Sequence, residues 1–510
     1  MLRGISGESK NKAGGRGFPT VSNQPELISG RLKRVSKPRI SFLSESEIEA
    51  IHDASLRVLE KTGIKVMSVT ALDILKKGGA KVDYGTKRAT IPADVVEEAV
   101  KRAPKTIKCC ARNPKYDFVL DKKKVHFTTD GYAPFIRDFE TGERRSSTRA
   151  DLIAWMRIAD YLDNLDLVWA SVCPGDVSAP MQTIVQTITS LSNTEKHFQG
   201  EALSAREAQY VIEIATAIAG GREELKKRPI ISAVQCPIAP LVFEEGSVEA
   251  VMEFARADIP VAPLPMPLMC ETGPATVAGT VVVCNAENLA SLVISELASS
   301  GAPVVYSCAA GGIDVKTGSM ASSPEYGIVQ MAAAQMARFY SLPSLVCGGC
   351  SDSKLPDVQA GFERAMTLTT SILTGADVIT GLGGLNTAST MSPELLVIDN
   401  EIIDAIFRVA RGFEVNDDTL AVDVIDKVGP GGHFLGQRHT LEHFKKETWV
   451  PKISDRRDFT SWQQAGSRSL DEVAKEKVRE ILATHKPAPL PEAVEREISQ
   501  ILKRAEAELL

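Results

Sequence analysis

The sequence predicts a (β/α)8 barrel with an N-terminal α+β cap and a C-terminal helical extension, and three observations carry that prediction. First, between residues 125 and 389 one unit recurs eight times: a short apolar run, a turn rich in Gly, Cys, Pro and Asp, then a helical segment. The runs begin at Val125, Leu167, His197, Ile230, Val261, Val304, Ser344 and Val378. Second, the segments between them have helical spacing, as in Leu152/Ile153/Met156/Ala159 and Met366/Leu368/Ile372/Leu373. Strands alternating with helices form right-handed βαβ units on a parallel sheet, and eight such units close a barrel. Third, the chemically distinctive residues follow the apolar runs instead of preceding them. An open doubly wound sheet is the structural alternative. The one-sided placement favours the barrel, whose βα loops share a single mouth.

That mouth gathers Asp130, Tyr132, Cys173, Asp176, Glu201, Cys236, Cys270, Glu271, Cys308, Asp314, Cys347, Cys350, Asp352, Lys354 and Asn386. The segments entering the strands are plainer: KKRP before Ile230, SSGAP before Val304, TGAD before Val378. The pattern is that of an enzyme.

A chain of 510 residues with 44% hydrophobic and 24% charged residues has an ordinary globular composition. A formal charge of -6, with no basic run flanked by aromatics, argues against a nucleic-acid surface. Nine cysteines form no disulfide framework, and the reduced cytoplasm is the expected compartment. No signal-length apolar start and no uninterrupted membrane-length apolar run is present, so no membrane association is expected.

In chain order, residues 1–40 are rich in Gly, Ser, Lys and Arg and read as a flexible arm. Residues 41–124 read as the α+β cap. Ser44 and Glu47 form a capping box opening an amphipathic helix through Ile48, Ile51, Ala54 and Val58 to Gly63. A second helix follows Pro92, then a strand-like TIKCCAR. Cys109 and Cys110 in it are read as structural, because strand neighbours face opposite ways. The barrel occupies 125–412 and ends on a long helix from Glu394 to Gly412. Residues 413–510 begin with a Gly-, His- and aromatic-rich loop and end in two charged helices, expected as peripheral arms, separated by Lys486-Pro487-Ala488-Pro489.

Several long motifs resemble the trimethylamine methyltransferase family. They are ARNP at Ala111, TTDGYAP after the first run, CAAGGIDVKTGSM at Cys308, CSDSKLPDVQAG at Cys350 and GPGGHFLGQRHTLEHF from Gly429, followed by W.P and DR. The resemblance covers nearly the whole chain beyond the arm. It implies a barrel that moves a methyl group from a methylated amine to the cobalt of a cob(I)alamin-type corrinoid carried by a separate small protein. It also implies no cofactor bound by the chain itself, and a homo-oligomer is expected. Within the family, members acting on trimethylamine carry pyrrolysine, while relatives without it tend to act on quaternary amines such as glycine betaine. A quaternary nitrogen is already a cationic leaving group, whereas a neutral tertiary amine leaves badly. Lys354, in the seventh mouth loop, is the lysine to test for pyrrolysine.

The remaining site assignments follow. Glu201 and Glu271, after the third and fifth strands, are candidates with Lys354 for the catalytic set, each carboxylate holding a cationic nitrogen or an amine proton; rim salt bridges are the plain reading. An ammonium box built on cation–π attraction would draw on Tyr132, Phe135, Trp169, Phe198, Phe243 and Tyr306, of which alternate residues must face the core. Tyr132 and Tyr306 are preferred, with Phe198, Asp130 and Asp352 as further substrate contacts. Gly311, Gly312, Gly348 and Gly349 would let a bulky corrin approach the backbone. His433, Phe434 and His439 in the C-terminal loop are candidates to face the corrinoid protein or a second subunit. Cys347 and Cys350 have C-x-x-C spacing without a second pair, and a zinc triad of His433, His439 and His443 lacks the H-E-x-x-H base, so no metal is assigned. The rival functions are a Schiff-base aldolase or lyase using Lys354 or Lys316, and a non-catalytic scaffold with an occluded mouth.

Overall fold

The computed structural model describes residues 40–510. Apart from Ile40, the arm expected over 1–40 lies outside the described residues.

Eight parallel strands form the centre: β1 (His126–Thr129), β2 (Leu167–Trp169), β3 (His197–Gly200), β4 (Ile231–Gln235), β5 (Val261–Pro263), β6 (Tyr306–Cys308), β7 (Ser344–Cys347) and β8 (Val378–Leu382). Every residue in them is buried. That is what a parallel sheet covered on both faces requires, and it is why the sequence shows continuous apolar runs instead of alternation. Pairing runs β2–β3–β4–β5 in one half and β6–β7–β8–β1 in the other. The halves meet at both edges. Val261 bridges Val304 in parallel, with Val305 N donating to Val261 O at 2.8 Å. On the other side Asp166 N donates to Phe127 O at 3.1 Å, Thr129 Oγ1 donates to Trp169 O at 3.0 Å, and Ala133 bridges Val172. The eight strands therefore follow one another round a barrel in chain order, as the sequence predicts.

Eight helices alternate with the strands: α1 (Arg149–Tyr161), α2 (Gln182–Ser192), α3 (Ala205–Ala219), α4 (Glu245–Arg256), α5 (Val277–Ala298), α6 (Pro324–Phe339), α7 (Val358–Thr374) and α8 (Pro393–Arg411). Side chains start most of them. Thr148 and Asp151 make a capping box on α1, and Ser204, Thr276, Asp357 and Ser392 accept from the backbone at the starts of α3, α5, α7 and α8. Helix α5 is long and apolar enough to suit a bilayer, but 78% of its apolar window is buried, where it packs against both barrel and cap.

The cap opens with the helix Glu45–Arg57 on its Ser44/Glu47 capping box, and Ala93–Arg102 follows Pro92 as read from the sequence. A hairpin of Ile107–Cys109 and Phe118–Leu120 closes the N-terminal end of the barrel. Phe118 stacks on His126 at 4.4 Å, and His197 Nδ1 lies 2.7 Å from Cys110 O. Cys109 and Cys110 are both buried thiols, in keeping with a structural role.

Beyond α8 come α9 (Asp417–Leu420), α10 (Val422–Val428), α11 (Arg438–Glu447) and α12 (Phe459–Gln464), none with a buried residue. The two terminal helices differ from the arms expected. α13 (Leu470–Thr484) buries Ala474, Val478 and Ile481 against α8 and α1, and α14 (Glu492–Leu509) buries Ile498, Ile501 and Ala505 against α3. Ion pairs Arg206–Glu508 and Arg504–Glu213 tie α14 down. Their charge is an outer face; the apolar stripe at helical spacing sits beneath it.

Candidate active site

At the C-terminal ends of the strands lies a cavity of about 360 Å³, to which residues at or beyond every strand contribute. Asp130, Gly131 and Tyr132 follow β1, Trp169 ends β2, Glu201 follows β3 and Cys236 follows β4. Leu264 and Met266 follow β5, Ala309 follows β6, Cys347 ends β7 and Cys350 follows it, and Thr387, Ala388 and Ser389 follow β8. Tyr326, from the first turn of α6, completes the wall with Met320. Among the described residues, no lysine, arginine or histidine lines this space.

Two carboxylates dominate its electrostatics. Burial, reinforced by the charge of Glu207, pushes Glu201 up to about 7. Asp130 is pushed up to about 6 by burial, against the Gly131 N–H at 2.8 Å and the Arg364 guanidinium, which both favour its charged form. Its Oδ2 has no hydrogen-bond partner and sits against Gly384, where a Cβ would collide with it. Glu201, a desolvated carboxylate with no cation of the described residues among the causes of its shift, is the group a bound cation stabilises most. Beside the carboxylates stand aromatic rings, whose π faces attract cations. The Tyr132 phenol is pushed well above its usual range by burial and by its contact with Cys173, so it stays neutral. Trp169 is buried with Nε1 unpartnered and packs on Gly131, which has no Cβ to hold the ring off. The Tyr326 hydroxyl lies 3.3 Å from Cys350 Sγ. The bond to Cys350, and then burial, pushes the Cys347 thiol well above its usual range, so Cys347 is a neutral part of the cavity wall.

The structure thus brings Asp130, Tyr132 and Glu201 together with Trp169. It does not bring the other expected residues into the cavity. Tyr306 turns into the wall, its hydroxyl donating to Asn285 Oδ1 at 3.0 Å, and Phe198 is buried off the cavity. Glu271 is exposed. Asp352 sits at the rim, accepting from Ser322 N at 2.7 Å and Thr387 Oγ1 at 3.0 Å, so that it clamps the loop after β6 to the loop after β8. Lys354 is exposed and its Nζ donates to Asp352 O at 2.7 Å. Lys316 is exposed as well, which leaves the Schiff-base reading without a lysine in the cavity. The space beside the glycines is filled by protein: Gly311 lies against the Tyr326 ring, Gly348 against Ser371 and Ile379, and Gly349 against Gly381. Gly312 is buried, with only Ser323 Oγ near its Cβ direction. His433 and Phe434 are exposed on the C-terminal extension, and His439 is half-buried on α11. Sequence reasoning missed Tyr326 because it looked only at strand ends; Gly311, which makes room for the ring, was the available signal.

Fold and site together define a barrel enzyme whose mouth holds an acidic, aromatic pocket. Its family is equally plain. Residues 10–509 match the family described as Trimethylamine methyltransferase (MTTB). The trimethylamine methyltransferase MttB of Desulfitobacterium hafniense (strain DSM 10664 / DCB-2) is 37% identical over 483 residues, covering 94% of this chain and 97% of that one. That of Methanosarcina barkeri (strain Fusaro / DSM 804) is 34% identical over 92% of this chain and 95% of its own. The glycine betaine methyltransferase of Desulfitobacterium hafniense (strain Y51) is 32% identical over 91% of this chain and 97% of its own. The chain belongs to the trimethylamine methyltransferase family.

Proposed function

We propose that this protein moves a methyl group from a small methylated ammonium to the cobalt(I) of a corrinoid carried by a partner protein. The observation that carries the reading is the mouth cavity, with two carboxylates, three aromatic rings and, among the described residues, no basic side chain. In this reading Glu201 faces the cationic nitrogen, Tyr132, Trp169 and Tyr326 surround its methyl groups, and the apolar wall excludes water. The corrinoid is a substrate of the reaction. A cavity of this size takes a small amine and not a corrin macrocycle, so the ring approaches from above the mouth. With a quaternary substrate the amine is displaced in line: cobalt(I) supplies the electron pair of the new cobalt–carbon bond and becomes methyl-cobalt(III), while the C–N bond breaks, its pair stays on nitrogen and the tertiary amine leaves neutral. Holding the methyl group at the opening in that alignment is the protein's main contribution.

Charge also ranks the candidate amines. A pocket with two carboxylates and no cation disfavours the carboxylate of a betaine, so tetramethylammonium and choline are expected to outrank glycine betaine. Mixing enzyme, each amine and a cobalt(I) corrinoid protein, and following methyl-cobalt(III) absorbance, tests both levels. Methylation fastest with a net cation is expected; methylation by none of them overturns the reading.

Lys354 separates direct displacement from the imine chemistry of pyrrolysine. With a quaternary substrate, Lys354→Ala is expected to keep most of the methyl-transfer rate, because the ammonium lies outside the cavity. Loss of activity in that variant, or a UAG codon at 354, would assign the chain to trimethylamine instead.

The corrinoid partner is proposed to dock on the C-terminal extension, where Leu420, Val422, Phe434, Leu435 and Leu441 are large apolar residues left exposed. Phe434→Ala is expected to slow transfer to protein-bound corrinoid far more than transfer to free cobalamin. Equal losses in the two assays would make the loop structural.

A further inference from the structure

The C-terminal extension presents a second side-chain cluster, remote in sequence from the mouth residues. Asp418 on α9 and His439 and His443 on α11 bring one ligand atom each to within 4.8 Å of one another. The two imidazoles are one helical turn apart and stack at 4.2 Å, 25° from parallel. His443 Nε2 lies 3.2 Å from Asp418 Oδ2, and His439 Nε2 lies 3.0 Å from the Asp418 carbonyl oxygen. Two ligands of a tetrahedral zinc ion stand about 3.4 Å apart when its bonds are about 2.1 Å. The His443–Asp418 pair already has that spacing. His439 needs only a ring rotation that gives up its contact with the carbonyl.

A second observation concerns the segment that carries these residues. α9, α10, α11 and α12 have no buried residue among them, yet they form ordered turns and helices. One end of this segment is tied to the barrel: Arg408 Nε donates to Glu447 O at 2.8 Å and Arg411 donates to Lys446 O. At the other end α9 meets α11 through the Asp418 cluster. A polypeptide that buries no apolar core draws its order from a cross-link, a metal or a partner.

We propose that Asp418, His439 and His443 bind one zinc-type divalent cation that clips α9 to α11, with water in the fourth position. The histidines bind as neutral imidazoles and Asp418 as its carboxylate, so the ion replaces the single exposed contact between His443 and Asp418 by three coordinate bonds. Its role is structural: it fixes the loop between α10 and α11 that presents Phe434 and Leu435. The proposal is independent of the methyl-transfer reading, since neither the mouth cavity nor its carboxylates enter it.

The test uses the full chain, freed of metal with a chelator and titrated with zinc sulfate by calorimetry and with cobalt(II) chloride by absorbance. One zinc per chain is expected. Cobalt is expected to give visible d–d bands of a nitrogen–oxygen site without the strong near-ultraviolet band of thiolate ligation. His443→Ala and Asp418→Asn are each expected to weaken binding roughly 100-fold or more, while Cys347→Ser/Cys350→Ser leaves it unchanged. Zinc is also expected to protect residues 413–447 from limited proteolysis in the parent and not in the variants. Circular dichroism identifies any variant that fails to fold, and the other then decides. A thiolate band, affinity lost with the cysteines, affinity unchanged in His443→Ala and Asp418→Asn, or no binding of either metal would overturn the proposal.

Discussion

Arg364→Met is expected to lower the melting temperature by about 10 °C, the largest effect of any single substitution considered for the barrel. Arg364 lies on α7 with its side chain fully buried and pairs with Asp399 of α8, Nη1 to Oδ2 at 3.1 Å. The same guanidinium donates to Gly381 O at 3.0 Å and to the carbonyls of Gly349 and Gly384. One side chain thus joins β8, the turn after β7, the loop behind Asp130 and the last barrel helix. Methionine fills much of the volume but donates nothing. Three buried carbonyls would lose a donor, and Asp399, already raised to about 6 by burial, would lose its cation. Removing one partner of a buried ion pair costs about 3–5 kcal/mol, a large part of the 5–15 kcal/mol that holds a domain together. The loss comes mainly from the stranded carboxylate, so Arg364→Met/Asp399→Leu is expected to recover part of it. Calorimetry on the two variants checks both statements. A shift below about 2 °C in the single variant, or no recovery in the double, would mean that water reaches the pair.

The barrel was legible because its physics is local. Each strand is three to five residues long and buried on both faces, so it reads as a compact apolar run before a turn. The residue just past such a run has little choice but to stand at the mouth, and Asp130, Tyr132, Glu201, Cys236 and Cys350 do so. What could not be read was which strand residues face inward. Where both faces of a strand are apolar, the sequence has no alternation to mark them, and tilt and register decide. Tyr306 and Trp169 were therefore indistinguishable, yet one turns to Asn285 and the other lines the cavity. Lys354 was misleading for a different reason. It follows a strand closely in sequence, but the loop bends back on Ser353, whose Oγ donates to Leu355 O and Asp357 Oδ1, and leaves the ammonium outside. Tyr326 enters from a helix and was invisible to any argument from strand ends.

The affinity for tetramethylammonium, a cation that cannot itself titrate, is expected to rise as pH increases through about 7. In the free protein Glu201 is mostly protonated below that pH, so binding a cation there must first release a proton. The slope approaches tenfold per pH unit on the acid side and vanishes on the alkaline side, where the carboxylate is already charged. Asp130, pushed up to about 6, adds a weaker dependence at lower pH, and Asp130→Asn removes that part. Glu201→Gln is expected to abolish the main slope and to weaken binding at pH 8. The stability of the empty protein moves the other way. The folded pKa of about 7 lies above the ordinary 4.5, so the folded state holds this proton more tightly than the unfolded chain does. Its contribution is therefore present at acid pH and is lost as pH rises between those values, leaving an ionised Glu201 as a cost of at most about 3 kcal/mol above pH 7. Glu201→Gln should then melt higher than the parent at pH 8 and close to it at pH 5, while binding the cation less well. A carboxylate held ready for a cation is destabilising until the cation arrives, and only that arrangement predicts both signs at once. Binding that is flat with pH, or a slope that persists in Glu201→Gln, would place the cation elsewhere in the mouth.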